Sequence, residues 1–210
     1  MKQKGIFITF EGIDGSGKST QLKLTNAYLG KLGYKPEILR EPGSTILSEK
    51  IRKILLDKKM KINPISELML YVAARAELVD TTIGPALDSG NIVLCDRFYD
   101  STTAYQGFGR GLDIKVINKM NRLAVGKYKP QLTFIVDIDY PTSIKRIKKM
   151  NKVADRLESE SKAFFARVRN GFIEISRQNK RRVILLNGKK PIEKIFDEVK
   201  NCLNRKLKIG

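Results

Sequence analysis

The 210-residue sequence contains no histidine, no tryptophan and only two cysteines. Each absence removes a class of chemistry. Without imidazole there is no Ser-His-Asp triad, no histidine general base and no histidine-ligated metal. What remains is carboxylates, Lys, Arg, Ser, Thr and Tyr, groups suited to handling charge. Cys95 and Cys202 lie far apart, each without a second cysteine nearby. That argues against a disulfide framework or a thiolate zinc cluster, and for a reducing compartment. No apolar stretch approaches the roughly 18 residues that span a bilayer, and the short basic stretch Met1–Gly5 runs straight into strand-like sequence. The expectation is a cytoplasmic chain with no membrane partner.

What is present fits one α/β domain over residues 1–210, with 41% hydrophobic and 30% charged residues and no linker, repeat or low-complexity tract to divide it. The formal net charge is +19, unevenly spread. Residues 1–140 hold 21 basic and 15 acidic side chains; residues 141–210 hold 20 and 7. Such an excess suits nucleic acid or a polyphosphate substrate, and equally a solvated Lys-rich surface.

Five short runs rich in β-formers recur: Ile6–Phe10, Glu37–Arg40, Ile92–Cys95, Leu132–Ile138 and Val183–Leu186. Helix-length connections between them predict a parallel sheet covered on both faces. Helical periodicity runs from Leu22 to Leu32, ended by Gly33, and returns over Ile46–Leu56, Leu68–Leu87, Ile144–Met150, Phe164–Ile175 and Ile192–Leu203. Tyr105–Gly111 and Lys148–Arg156 are the least regular stretches and read as mobile loops.

The first strand runs into Gly12-Ile13-Asp14-Gly15-Ser16-Gly17-Lys18-Ser19, a full match to the P-loop pattern, with helical periodicity beginning directly after it. Glycines let successive backbone N–H groups curl around a phosphate, and the following helix adds its N-terminal dipole. Lys18 can reach the β- and γ-phosphates, and the Ser19 hydroxyl can bind Mg²⁺. A GTPase needs a guanine-reading Asn-Lys-x-Asp after a strand. The nearest approach, Asn118-Lys119-Met120-Asn121, lacks the Asp and lies in a helical pattern.

The third apolar run ends in Asp96-Arg97. Strand ends in an open parallel sheet face the ligand crevice, so Asp96 can hold Mg²⁺ through water and Arg97 can clamp a phosphate. The plainer alternative is a salt bridge capping a strand. Arg40-Glu41-Pro42-Gly43 follows the second run, where Pro-Gly by itself means only a turn. Tyr71 and Arg75 stand four apart on one helix face, able to hold a base by stacking and hydrogen bonding, or else a core tyrosine beside a surface arginine.

Together, Phe10–Thr20, Arg40–Gly43, Tyr71-Val72-Ala73-Ala74-Arg75 and Asp96–Gly107 resemble the ordered signatures of thymidylate kinases, over essentially the whole chain. The resemblance implies a three-layer P-loop NTPase fold with a five-stranded parallel sheet and a short LID, and transfer of phosphate from ATP to dTMP with Mg²⁺. It implies that residues Gly12, Ile13, Asp14, Gly15, Ser16, Gly17, Lys18, Ser19 and Thr20 bind ATP, with Arg146 stacked on adenine. Asp14 would meet the deoxyribose 3′-OH; Arg40 and Arg97, within the Glu41-Pro42 and Asp96 segments, would meet the dTMP phosphate. Tyr71 would stack on thymine, Arg75 would bond its carbonyl, and Thr102 would sit near the base edge. Tyr105 would crowd a ribose 2′-hydroxyl. A homodimer also follows from the resemblance, and no stable nucleic-acid partner is expected.

Residues 145–158 occupy the position of the family's LID. Gly15 stands where some members carry an arginine inside the P-loop, so the bacterial arrangement, with its cations in the LID, is the nearer match. Three positions depart from the pattern. Ser44 replaces a usual Gly, Phe98 stands where many members have Tyr or His, and Lys148, Lys149 and Lys152 replace arginines. Lys lacks the two-pronged fork of Arg. Arg156 is then the arginine expected with Lys18, Arg97 and Asp96 in catalysis. Two other readings stay open: another pyrimidine nucleoside monophosphate kinase, and a small nucleic-acid-binding ATPase. The second needs exposed aromatics among the basic residues, whereas Phe164, Phe165 and Phe172 have core-like spacing.

Overall fold

A computed structural model describes residues 5–149 and 155–207. Five parallel strands, β1 (Ile6–Glu11), β2 (Glu37–Arg40), β3 (Ile92–Asp96), β4 (Leu132–Asp137) and β5 (Val183–Asn187), pair in the order β2-β3-β1-β4-β5. All five expected strands form, within a residue at either end. The alternation of β1 sorts its side chains between two layers. Ile8 and Phe10 join Phe134 and Leu186 against the helices α1 (Lys18–Lys31) and α9 (Ile192–Leu207). Phe7 packs with Val93 and Phe98 on the opposite face. Thr9 shares that face and meets Thr133 of β4 at 2.7 Å, so two buried hydroxyls satisfy each other. Glu11 comes next in the same alternation and is therefore turned into the interior.

The remaining helices are α2 (Ile46–Leu56), α3 (Pro64–Leu78), α4 (Gly84–Asp88), α5 (Tyr99–Thr102), α6 (Ile114–Val125), α7 (Tyr140–Lys149) and α8 (Lys162–Gln178). Start signals are evident at three of them. The side chains of Thr45, Asn63 and Ser161 accept from the backbone N–H three residues on, and Pro64 opens α3. The helical span read as Leu68–Leu87 is three pieces: α3, a π-helical turn at Val79–Ile83, and α4 beginning at Gly84-Pro85.

One expectation is overturned. Tyr105–Gly111, read as a mobile loop, belongs largely to a seven-residue π-helix, Thr103–Gly109, with Tyr105 and Gln106 buried. The backbone N–H of Arg110 bonds the Tyr105 carbonyl five residues back at 2.9 Å. The glycines that suggested a loop instead permit close packing: a Cβ on Gly109 would lie 2.7 Å from the Phe164 ring of α8. Phe164, Phe165 and Phe172 are themselves 2–4% exposed and form the core beneath this turn. They offer no surface for stacking bases. Of the irregular stretch Lys148–Arg156, Lys148 and Lys149 end α7, while 150–154, with the expected Lys152, lie outside the described residues.

Sheet order places the carboxyl ends of β1 and β3 side by side. Phe10 is in register with Asp96, the Arg97 N–H donates to the Phe10 carbonyl at 2.9 Å, and the Glu41 N–H donates to the Asp96 carbonyl at 3.0 Å. Three strand ends thus deliver Gly12–Ser19, Glu41-Pro42 and Asp96-Arg97 to one crevice.

Candidate active site

The P-loop is built by its glycines and tied down from beneath. Gly12 has φ +134°, and a Cβ there would stand 2.5 Å from the Val136 carbonyl of β4, so both conformation and space exclude a side chain. Ile13 is buried in the core with Tyr105 and Phe164, which anchors the loop by its side chain. Ser143 of α7 donates to the Asp14 carbonyl at 2.6 Å. Arg146, one turn on, donates to the Gly15 and Ser16 carbonyls, both at 3.2 Å, and to the Gly188 carbonyl at 2.8 Å. That places Arg146 between the P-loop and the turn after β5.

Lys18 is 7% exposed, with its Nζ 3.3 Å from Asp14 Oδ1. Thr20 follows on the exposed side of α1. The Ser19 hydroxyl touches the Asp96 carboxylate, which brings together the two side chains expected at Mg²⁺. A hydroxyl and a carboxylate are hard oxygen donors of the type that cation takes. Among the described residues no cluster of three acidic or thiol side chains forms a cage. A pair of side-chain oxygens completed by substrate phosphates fits that finding.

Arg97 joins the donor and acceptor sides. Its φ of +72° is left-handed, a conformation costing an L-residue roughly 1–3 kcal/mol. The guanidinium donates to the Gly12 carbonyl at 2.8 Å, the Ser101 hydroxyl at 3.1 Å and Asp14 Oδ1 at 2.9 Å. It also lies 5.3 Å from the centre of the Tyr105 ring. Burial works against the charge, but Tyr105, Asp14, Asp96 and Glu11 outweigh it and hold the group firmly protonated.

Beside Arg97 opens a cleft of about 580 Å³ of empty space, lined among others by Asp14, Glu41, Pro42, Tyr71, Arg75, Arg97, Thr102 and Tyr105. Eight of the nine positions expected around the acceptor therefore converge. Arg75 is 1% exposed and forks onto Glu41 at 2.7 and 2.8 Å, then reaches Asn121 at 2.6 Å and Thr102 at 2.7 Å. Burial pushes the Glu41 carboxyl up, and Arg75 opposes the shift.

The ninth position, Arg40, is absent from the cleft lining. Its guanidinium is exposed and held by both oxygens of Glu49 at 3.0 Å. Glu49 also accepts from the Ser44 N–H at 2.8 Å, where Ser44 has φ +69°. The serine standing for the usual glycine thus keeps the glycine-like turn.

Arg156 differs most from expectation. It lies on the acceptor side and not among the P-loop cations: its Nη2 is 2.6 Å from Glu67 and its Nε donates to the Leu55 carbonyl at 2.8 Å. Charge is the cause. Glu67 is fully buried in the first turn of α3, and a buried carboxylate draws in every cation within reach.

Several lining residues had been given no role of their own: Arg52, Leu56, Ser101, Gln106, Asp155 and Leu157. Arg52 and Leu56 read as ordinary members of an amphipathic helix, Ser101 and Gln106 lie within the Asp96–Gly107 signature, and Asp155 and Leu157 fall inside the span expected for the LID. Glu11 was part of the P-loop signature only. It accepts from the Phe98 N–H at 2.7 Å and from the Ser101 hydroxyl, directly beneath Arg97.

Comparison with known proteins agrees with this geometry. The thymidylate kinase family model matches residues 10–199. Thymidylate kinase of Kosmotoga olearia is 43% identical over 92% of this chain and 93% of its own. That of Thermosipho africanus is 44% identical over 96% and 99%. A crystal structure of thymidylate kinase from Ehrlichia chaffeensis superposes with a TM-score of 0.78 at 37% identity, covering 95% of this chain and 99% of that one. With a P-loop, a three-strand crevice and this coverage, the chain belongs to the thymidylate kinase family.

Proposed function

We propose that the family's reaction, transfer of the γ-phosphoryl group of ATP to dTMP to give dTDP, is run in this chain by the P-loop and the adjoining cleft. The observation that carries the reading is the Lys18–Asp14–Arg97 arrangement, which sets a donor-side cation and an acceptor-side cation on one carboxylate. Phosphoryl transfer asks chiefly for alignment and positive charge, so a histidine-free site suffices.

In this reading Lys18 and the backbone N–H groups of Gly15–Ser19 hold the β- and γ-phosphates. Arg97 orients the dTMP phosphate. One of its oxygens, already largely ionised at neutral pH, attacks the γ-phosphorus in line. The bond from that phosphorus to the β,γ-bridging oxygen breaks, and ADP leaves with the electron pair. No general base is required. Ser19 and Asp96 would hold Mg²⁺, which when bound neutralises charge on the β- and γ-phosphates. Tyr71 and Arg75 would take the thymine ring, with Thr102 at its edge and Asp14 at the 3′-OH. Tyr105 would exclude a 2′-hydroxyl. Arg146, between the P-loop and Gly188, would meet adenine. Arg40 is released for the dTMP phosphate only if Glu49 yields it.

A coupled assay of ADP release across nucleoside monophosphates at equal concentration tests this. dTMP should be the best acceptor; a faster rate with UMP would overturn the acceptor assignment and favour the alternative monophosphate kinase.

The proposed working form is a homodimer in the cytoplasm. Apolar side chains stand exposed on α3 and on the two helices that pack against it: Met69 on α3, Ile46 (83%) on α2 and Leu123 (85%) on α6. A second copy of this chain is the occupant we assign to that face. Among the described residues no helix is long and apolar enough to cross a membrane.

A further inference from the structure

We propose that Glu67, a residue with no assigned part in the reaction, is a positioning residue for the acceptor nucleotide. It acts by pinning one wall of the cleft through Arg156 and Arg110. The inference rests on reading the cleft as the dTMP site.

The Glu67 carboxylate, fully buried, accepts from four groups: Gln106 Nε2 at 2.8 Å, Arg110 Nε and Nη2 at 3.1 Å each, and Arg156 Nη2 at 2.6 Å. Burial opposes its ionisation, but these bonds outweigh it and hold the carboxyl below the usual range. Arg110 extends the cluster to Glu160. Two guanidiniums thus face two carboxylates.

The segment between Arg156 and Glu160 is a compact turn. Asp155 accepts from the N–H groups of Leu157 and Glu158, both at 2.9 Å. This turn is fastened to the body at both ends, directly by Arg156 to Glu67 and indirectly by Glu160 through Arg110. Arg156 also joins it to α2, by its Nε to the Leu55 carbonyl and its backbone N–H to the Leu56 carbonyl at 3.3 Å. Asp155, Leu157, Leu56 and Gln106 all line the cleft. Tyr71, expected at the base, lies one helical turn beyond Glu67. A single carboxylate therefore holds the π-helical wall, the returning turn and the base-facing helix in register.

A neutral side chain here leaves one guanidinium charge in excess. Arg110 keeps Glu160, so Arg156, whose other side-chain bond is to the neutral Leu55 carbonyl, is the partner left without a counter-charge and moves outward, taking Asp155 and Leu157 with it. Losing a buried, charge-assisted bond of this kind corresponds to a change on the order of tenfold.

Steady-state kinetics of the full-length chain test the proposal, with ADP release measured while dTMP and ATP are varied in turn. Glu67→Gln and Arg156→Gln should each raise the KM for dTMP about tenfold. The KM for ATP and the kcat at saturation should stay within about threefold. The double variant should resemble either single one, because both changes break the same link. A KM for dTMP within twofold of the parent in both variants overturns the inference, as does a double variant whose effect multiplies. A purely structural role would lower the melting temperature and the active fraction without moving KM. Should Glu67→Gln fail to fold, Arg156→Gln alone decides by the same criterion. An increase confined to ATP would overturn the acceptor reading of the cleft itself, whereas no shift for either substrate removes only the role of Glu67.

Discussion

Arg97 Nη2 and Asp14 Oδ1 are 2.9 Å apart, and the same oxygen lies 3.3 Å from Lys18 Nζ. One carboxylate oxygen thus sets the spacing of two cations that, in the function proposed above, act on opposite partners of a phosphoryl transfer. Asp14→Asn keeps the shape and removes the charge that holds them together. We expect kcat/KM for dTMP to fall about 10- to 100-fold, the loss that goes with a charged hydrogen bond of roughly 1.5–3 kcal/mol. The partly exposed position should leave the melting temperature nearly unchanged. An Asp14→Asn enzyme with parental kcat/KM would sever the link between this contact and turnover.

Lys18 bears on the donor side. Lys18→Ala should lower kcat by about 10²–10³-fold, the range for removing one preorganised charge-stabilising group. Circular dichroism should be superimposable on the parent's. Intact ADP release with dTMP would remove the P-loop from the reaction.

Glu11 gives a prediction about pH. Burial, assisted by Asp100, pushes its carboxyl from 4.5 up to about 8, against the pull of Ser101, Arg97 and the Phe98 N–H. The folded chain therefore binds this proton more tightly than the unfolded chain. The contribution to stability is fully present below about pH 4.5 and is lost as pH rises through about 8, at up to about 1.4 kcal/mol per pH unit. Glu11→Gln removes the titration. Urea melts at pH 5, 6.5 and 8 should show the variant gaining on the parent as pH rises; parallel curves would contradict the raised pKa.

The exposed face of α2, α3 and α6 predicts an assembly. Leu123→Glu places a charge where the apolar side chain is 85% exposed. Sedimentation should give a dimer for the parent and a monomer for the variant. A parent that sediments as a monomer at micromolar concentration would leave this face without the second copy assigned to it.

Local patterns made most of the sheet and the crevice legible in the sequence. The strands are short apolar runs flanked by turn residues, and the P-loop sits in unbroken chain order. Tyr71 and Arg75 needed only helical spacing to be placed on one face. The misses share a different origin. Gly107 and Gly109 read locally as loop residues, yet the missing side chain of Gly107 admits Ile114 and Ile117 of α6, and that of Gly109 admits Phe164 and Val168 of α8, a partner more than fifty positions away. Arg156 was expected in the LID as a catalytic partner of Lys18 and Arg97. Its position is decided by Glu67, which in sequence is indistinguishable from an acidic residue favoured in any first helical turn. Arg40 was expected at a phosphate and is held by Glu49, nine residues on. Periodicity reports which side of an element is covered; it carries no record of which distant charge a side chain will satisfy.

The left-handed backbone at Arg97 has a consequence for how this protein can change. Glycine would relieve that conformation, so Arg97→Gly trades away the guanidinium for a more relaxed main chain. Against that relief of roughly 1–3 kcal/mol stand the three hydrogen bonds the guanidinium makes and the extra freedom glycine gives the unfolded chain, so the strained main chain is kept in place by the contacts of its own side chain.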